Sequence, residues 1–271
     1  MKQRVINSYN RLRATNILSN FINLSSIQIS NILLLLITTR LIMGNVGFEA
    51  FGLVMFAYRF SMLAGTVINY GTGQSGVKDV AFNIADKAKL NVVFYNTLSI
   101  RLIIFMLFLA CMAVYYFLHT HSYNYLLLAL PIVLAEVLNP LCFFIGIEKI
   151  RVFNIANLVS NIAAVIFIYL FIKTPAHGVW VNFILGMGNV LTYICLLVYF
   201  ANRLKLSFST PKRTDLLAIG KANFYLTVNN ISANLQQSVI IFALTAYNAN
   251  ILGAYTLADR FIGQCRNLLN T

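Results

Sequence analysis

Apolar positions in this chain do not alternate with charged ones around a helix; they run on without interruption. No Asp, Glu, Lys or Arg occurs in residues 102–135, 152–172, 178–202 or 222–258. A soluble helix keeps a charged outer stripe, and these segments offer water no such face. About 20 helical residues at roughly 1.5 Å each span the hydrocarbon core of a bilayer. The pattern therefore predicts transmembrane helices near 17–39, 50–70, 92–118, 123–147, 152–172, 178–201, 222–246 and 250–271. The expected fold class is an all-α polytopic membrane protein with about eight transmembrane helices.

Composition agrees with the pattern and removes the competing reading. Hydrophobic residues make up 59% of the chain, charged residues 10%, and the mean hydropathy is +0.77. A soluble domain carries about 25% charged residues, so buried helices of a large soluble core are excluded. A net charge of +13 would suggest nucleic acid in a soluble protein, but in a membrane chain lysine and arginine report topology first, and no nucleic-acid partner is expected. With the N-terminus inside, inner segments hold fourteen basic residues, at 2, 4, 11, 13, 78, 87, 89, 149, 151, 203, 205, 212, 213 and 221, whereas outer loops hold only Arg40 and Lys173. That bias predicts a cytoplasmic N-terminus. No short apolar region with a small-residue cleavage site follows Lys2, Arg4, Arg11 and Arg13, so the first helix is expected to stay.

Outer connections such as MGNVGFE, HTHSY, KTPAH and NAN leave no room for an external domain. Of the longer inner segments, 71–90 reads as a glycine-rich turn with a short amphipathic stretch, and 202–221 as a basic linker broken by Pro211. The linker is either a hinge between halves or an ordinary cytoplasmic loop. A repeat favours the hinge. Shifting the chain by 201 residues aligns 52–60, GLVMFAYRF, with 253–261, GAYTLADRF, matching glycine, alanine, arginine and phenylalanine. The intervening six helices are an even number, so both copies run in the same direction, as in parallel-repeat transporters. The expected division is a six-helix lobe over 1–201, a linker over 202–221, and the start of a second, incomplete lobe over 222–271.

Candidate chemistry lies where charge meets membrane. Arg59, Arg101 and Arg260 fall inside predicted helices, and a guanidinium at mid-depth costs about 2.5–3.5 kcal/mol unless it faces protein or a water-filled cavity. Each could instead snorkel to an interface or pair with a buried acid. Glu136 and Asp259 are the intramembrane acids, able to pair an arginine or to couple transport to protons. Asp259 and Arg260 are adjacent and project about 100° apart on a helix, so each is expected to find another partner. Arg40 ends the first predicted helix and reads mainly as an interfacial anchor. His119 and His121 lack further ligands, so no metal site is expected. Pro131 and Pro140 are expected to kink the fourth helix, and Gly186 and Gly188 to permit close packing in the sixth. The cysteines, at 111, 142, 195 and 265, show no metal spacing and read as small core residues.

The segments TTR at 38–40, GFEAFG at 47–52, INYGTGQSGVKDVA at 68–81 and LGAYTLADRF at 252–261 resemble O-antigen and polysaccharide-repeat flippases of the multidrug/oligosaccharidyl-lipid/polysaccharide exporter superfamily. The resemblance covers most of the chain. It implies two six-helix lobes around a central cavity in the bacterial inner membrane, moving a polyprenyl-pyrophosphate-linked oligosaccharide to the outer leaflet. It also implies a non-enzymatic activity without cofactor, with the lipid-linked oligosaccharide, membrane lipid, and the polymerase and chain-length machinery of the same route as partners. Arg59, Arg260, Arg101 and, more weakly, Arg40 become candidates for the diphosphate, since a guanidinium fork binds phosphate oxygens bidentately at any accessible pH. Helices nine to twelve of such a transporter are expected beyond Thr271.

Three other readings fit less well. A multidrug exporter of the same superfamily calls for a more acidic cavity. A membrane-embedded glycosyltransferase or polymerase needs a carboxylate base or metal-binding acids, and the chain has only seven acidic residues. A non-catalytic scaffold is the third.

Overall fold

Gly47 makes the first decision of the fold. Helix α1 (Lys2–Asn69) is interrupted there by a single residue at φ 80 and ψ 172, a conformation that a side chain disfavours and glycine accepts. The two arms of α1 fold back on each other at this point. Thr39 precedes it and Tyr58 follows it, yet both touch Arg260; along a straight helix they would be roughly 28 Å apart. The expected seven-residue outer loop is therefore corrected to one non-helical residue, and Arg40 lies inside the first arm, exposed, instead of at a helix end.

A computed structural model describes residues 2–118, 123–245 and 249–269. His119 and His121 lie outside the described residues, as does the side chain of Cys265. After α1 come α2 (Thr72–Asn83), α3 (Lys87–Leu118), α4 (Tyr123–Leu127), α5 (Leu130–Leu138), α6 (Leu141–Gly146), α7 (Ile150–Phe171), a 3-10 turn (Pro175–Trp180), α8 (Val181–Leu204), α9 (Arg213–Thr245) and α10 (Ala249–Leu269). No strand occurs among the described residues.

The chain is an all-α polytopic membrane protein. Among the described residues five segments are long and apolar enough to cross a bilayer: Ile32–Asn69, Lys87–Tyr116, Asn124–Gly146, Ile150–Phe171 and Pro175–Leu204. The first is the doubled-back α1. Helices α9 and α10 have crossing length, but polar and charged positions in both lower their apolarity.

Two sets of connections gather at opposite ends. At one end Asn45 Nδ2 donates to the Ile172 carbonyl (2.7 Å), while Gly178 packs near Val46, Ala50 and Tyr125. At the other, Gly71 meets Leu226, Gly76 meets Cys142, and Asn91 Nδ2 donates to Ser207 Oγ (2.7 Å). A core of Phe94, Phe143, Phe144, Phe153, Tyr193 and Phe200 holds α3, α6, α7 and α8 together near this second end.

The predicted fourth helix is three pieces. Pro140 cannot supply the N–H that would continue the helix, and the chain breaks at Asn139. Gly186 lets α8 approach α5 until a Cβ would stand 2.5 Å from the Ile132 nitrogen. The predicted linker is also shorter in regular terms, since α9 begins at Arg213 and takes in 213–221. Asp86 caps α3 by accepting the backbone N–H groups of Lys89 (3.2 Å) and Ala88 (3.1 Å), with the Lys89 bond foremost in holding its carboxyl below the usual carboxylate range. Of the cysteines, Cys142 is buried as expected, whereas Cys111 and Cys195 are exposed on the helix surface and are not core residues.

Candidate anion-binding site

The charged cluster forms where α10 lies against the fold of α1. Gly253 makes this packing possible: a Cβ there would stand 2.3 Å from the Phe48 carbonyl oxygen. From that contact the second arm of α1 and α10 run in the same direction, since Phe48 meets Gly253 and, further along both, Tyr58 meets Arg260.

Arg59 Nη2 donates to Asp259 Oδ2 at 2.7 Å, with the two side chains 28% and 31% exposed. Arg260 Nη1 donates to Thr39 Oγ1 at 2.7 Å, and its guanidinium lies 5.7 Å from the Tyr58 ring centre. Asp259 and Arg260 thus turn to different partners, as their adjacency on a helix requires. The two contacts are reciprocal: shifting Arg59 and Tyr58 by 201 gives Arg260 and Asp259, so Arg59–Asp259 and Arg260–Tyr58 are one contact seen from each side. The contacts differ in kind, an ion pair in one case and a cation–ring contact in the other.

Charge at this point is unbalanced. Two guanidiniums share one carboxylate, and Arg260 meets no acid within ion-pair distance among the described residues. Its hydroxyl and ring partners leave part of the guanidinium fork unused, and a π face adds only about 0.5–2 kcal/mol to a cation. An anion with several oxygens would complete the cluster.

The other candidates lie elsewhere. Arg101 is buried, 1% exposed, with its donors occupied: Nε to Thr72 Oγ1 (2.8 Å), Nη1 to the Asn139 carbonyl (2.7 Å) and Nη2 to Cys142 Sγ (3.8 Å). It closes the carbonyl that the Pro140 break leaves open. Glu136 accepts from Asn139 Nδ2 (3.2 Å) and packs over Gly65, where a Cβ would come within 2.6 Å of its Cγ. Arg40 is exposed on the first arm. Of the four arginines only Arg59 and Arg260 are brought together.

One feature of α9 escapes a search for charged residues. Asn229, Ser232 and Gln236 recur on one exposed helix face, with Gln237 beside them, opposite the face that buries Asn223, Thr227, Ser238 and Ile241. Amides half-way along a helix of crossing length belong against water or a polar ligand rather than lipid. The signal was present in the run NNISANLQQS, but uncharged polarity does not interrupt a hydropathy reading built on charge.

Broken crossings, amide-bearing α9 and an intramembrane guanidinium pair together define a polytopic membrane protein that presents polar groups inside the bilayer. The chain belongs to the polysaccharide biosynthesis protein family, whose profile matches residues 17–271. It is 22% identical over 260 residues to a candidate O-antigen transporter of Escherichia coli (strain K12), an alignment covering 93% of this chain and 61% of that protein. The chain thus spans about three fifths of the length of that curated relative. No solved structure matches it significantly.

Proposed function

We propose that the chain forms part of a transporter that moves a polysaccharide repeat unit, carried on a polyprenyl diphosphate, from the inner to the outer leaflet of the bacterial cytoplasmic membrane. Its N-terminus is cytoplasmic, and the two repeats, 1–201 and the one beginning at 222, alternate access about the 202–221 segment. The physical task is to pass a diphosphate and a sugar head through a low-dielectric slab while the tail stays in lipid. Arg260, charged and without an acidic partner, supports the diphosphate assignment, with Arg59 one helix away. The exposed amides of α9 suit sugar hydroxyls. Family membership and the named relative support transport over glycosyl transfer.

The carrying observation is that Arg260 reaches across to α1 with its charge uncompensated. In cells whose surface polysaccharide depends on this protein, Arg260→Ala lowers polysaccharide display at unchanged membrane abundance. Arg260→Lys restores part of it, keeping the charge and losing the fork. Display that falls only in proportion to protein level overturns the assignment and makes Arg260 a packing residue.

A further inference from the structure

We propose that Asp259 sets the anion selectivity of the arginine cluster, occupying Arg59 so that a single phosphate cannot hold both guanidiniums and a diphosphate can. The inference rests on the transport reading above and concerns how its site rejects the wrong ligand. A bilayer is crowded with lipids that carry one phosphate, and an intramembrane pair of unoccupied arginines would be filled by them. Specificity against an abundant competitor comes from a built-in cost to binding it.

The geometry supplies that cost. Asp259 Oδ2 stands 2.7 Å from Arg59 Nη2 and belongs to the same helix, one residue from Arg260. Arg260 is directed away from Asp259, to Thr39 and Tyr58. A lone phosphate arriving at Arg260 meets one guanidinium and one nearby carboxylate, whose charge repels it. A diphosphate carries enough oxygens to satisfy Arg260 and also to displace Asp259 from Arg59. Both ion-pair partners are about three-tenths exposed, so exchange does not require burying a bare charge. Releasing Asp259 breaks one partly exposed ion pair, which keeps the exchange reversible.

The test titrates purified protein with inorganic pyrophosphate and inorganic phosphate by calorimetry. Wild type prefers pyrophosphate. Asp259→Asn raises phosphate affinity roughly fivefold, the exchange worth of a partly exposed ion pair, and narrows the preference. Arg59→Gln weakens pyrophosphate most, and lowers phosphate as well because the Asp259 carboxylate is left unneutralised beside Arg260. Adding Asp259→Asn to Arg59→Gln relieves that repulsion for both anions but gives no phosphate-selective gain, since Arg59 is no longer there to be released. An unaltered preference in Asp259→Asn, or the same shift with and without Arg59, overturns the selectivity role. The two readings separate on Arg260→Ala. If that variant loses pyrophosphate while Asp259→Asn keeps the wild-type preference, transport stands and selectivity falls. If it binds pyrophosphate as wild type does, the transport reading falls as well.

Discussion

Arg101 and Arg260 are the same residue type inside the same membrane, and their partners assign them opposite work. Arg101 spends its donors on Thr72, the Asn139 carbonyl and Cys142. Thr72 and Cys142 are buried and Asn139 partly so, and an orphaned buried acceptor costs about 1–3 kcal/mol. Arg101→Met therefore lowers thermal stability of the purified protein and its membrane abundance, by about that free energy for each acceptor left open, while the proposed transport per molecule persists. Lysine does not repair it, since one ammonium cannot reproduce a planar fork aimed at three groups. Thermal unfolding in detergent, normalised against polysaccharide display, checks both halves. Arg260 gives the reverse pattern, because its fork is unfilled.

At the scale of elements, the fold depends on close approaches at chain breaks. The fourth crossing is cut at Asn139–Pro140, and its upper piece, α5, is held between α1 and α8. Gly65 accommodates the Glu136 side chain on one side and Gly186 the Pro131–Ile132 backbone on the other. Side chains can swing aside; backbone cannot. Gly186→Ala puts a Cβ 2.5 Å from the Ile132 nitrogen and 2.7 Å from the Pro131 carbonyl carbon, so α5 must shift, at an overpacking cost of about 1–3 kcal/mol. Gly188→Ala meets Ser160 Oγ at 3.2 Å, with the Ser160 carbonyl oxygen at an ordinary 3.9 Å, and costs less. Comparing the two thermal midpoints tests this ranking, and equal midpoints would refute the packing account of α5 and α8.

For the whole molecule, alternation of crossings gathers the connections into two sets, and the sidedness follows from charge. The turn at Gly47, the end of α7 and the start of α10 share one end; α2, the α5–α6 break and the α8–α9 connection lie towards the other. The basic residues 78, 87, 89, 149, 151, 203, 205, 212 and 213 belong to the second set, so that end is expected in the cytoplasm. An alkaline phosphatase fused after Thr120 is active and one fused after Lys212 is silent; the opposite result reverses the orientation.

Hydropathy alone determined that the chain crosses the membrane, and where up to residue 204, because the absence of charge over a crossing is a local property that lipid enforces residue by residue. The divergence of Asp259 from Arg260 was legible too, as a consequence of spacing along a helix. What spacing could not decide is which side chains meet. The segment MGNVGFE was legible as a connection between two crossings, but not that Gly47 alone makes the fold-back, which brings Thr39 and Tyr58 to one guanidinium only once α10 packs beside them. In sequence both Arg101 and Arg260 are cations in apolar surroundings, Arg260 near mid-depth and Arg101 nearer the cytoplasmic end of its predicted helix. Tertiary packing separated them: a broken helix presents Arg101 with a bare carbonyl, whereas Asp259 is taken by Arg59 and leaves Arg260 unneutralised. The energy of a charge in a membrane is set by groups within a few ångströms, and those groups come from residues 29 to 41 positions away for Arg101 and 221 for the Arg260–Thr39 bond.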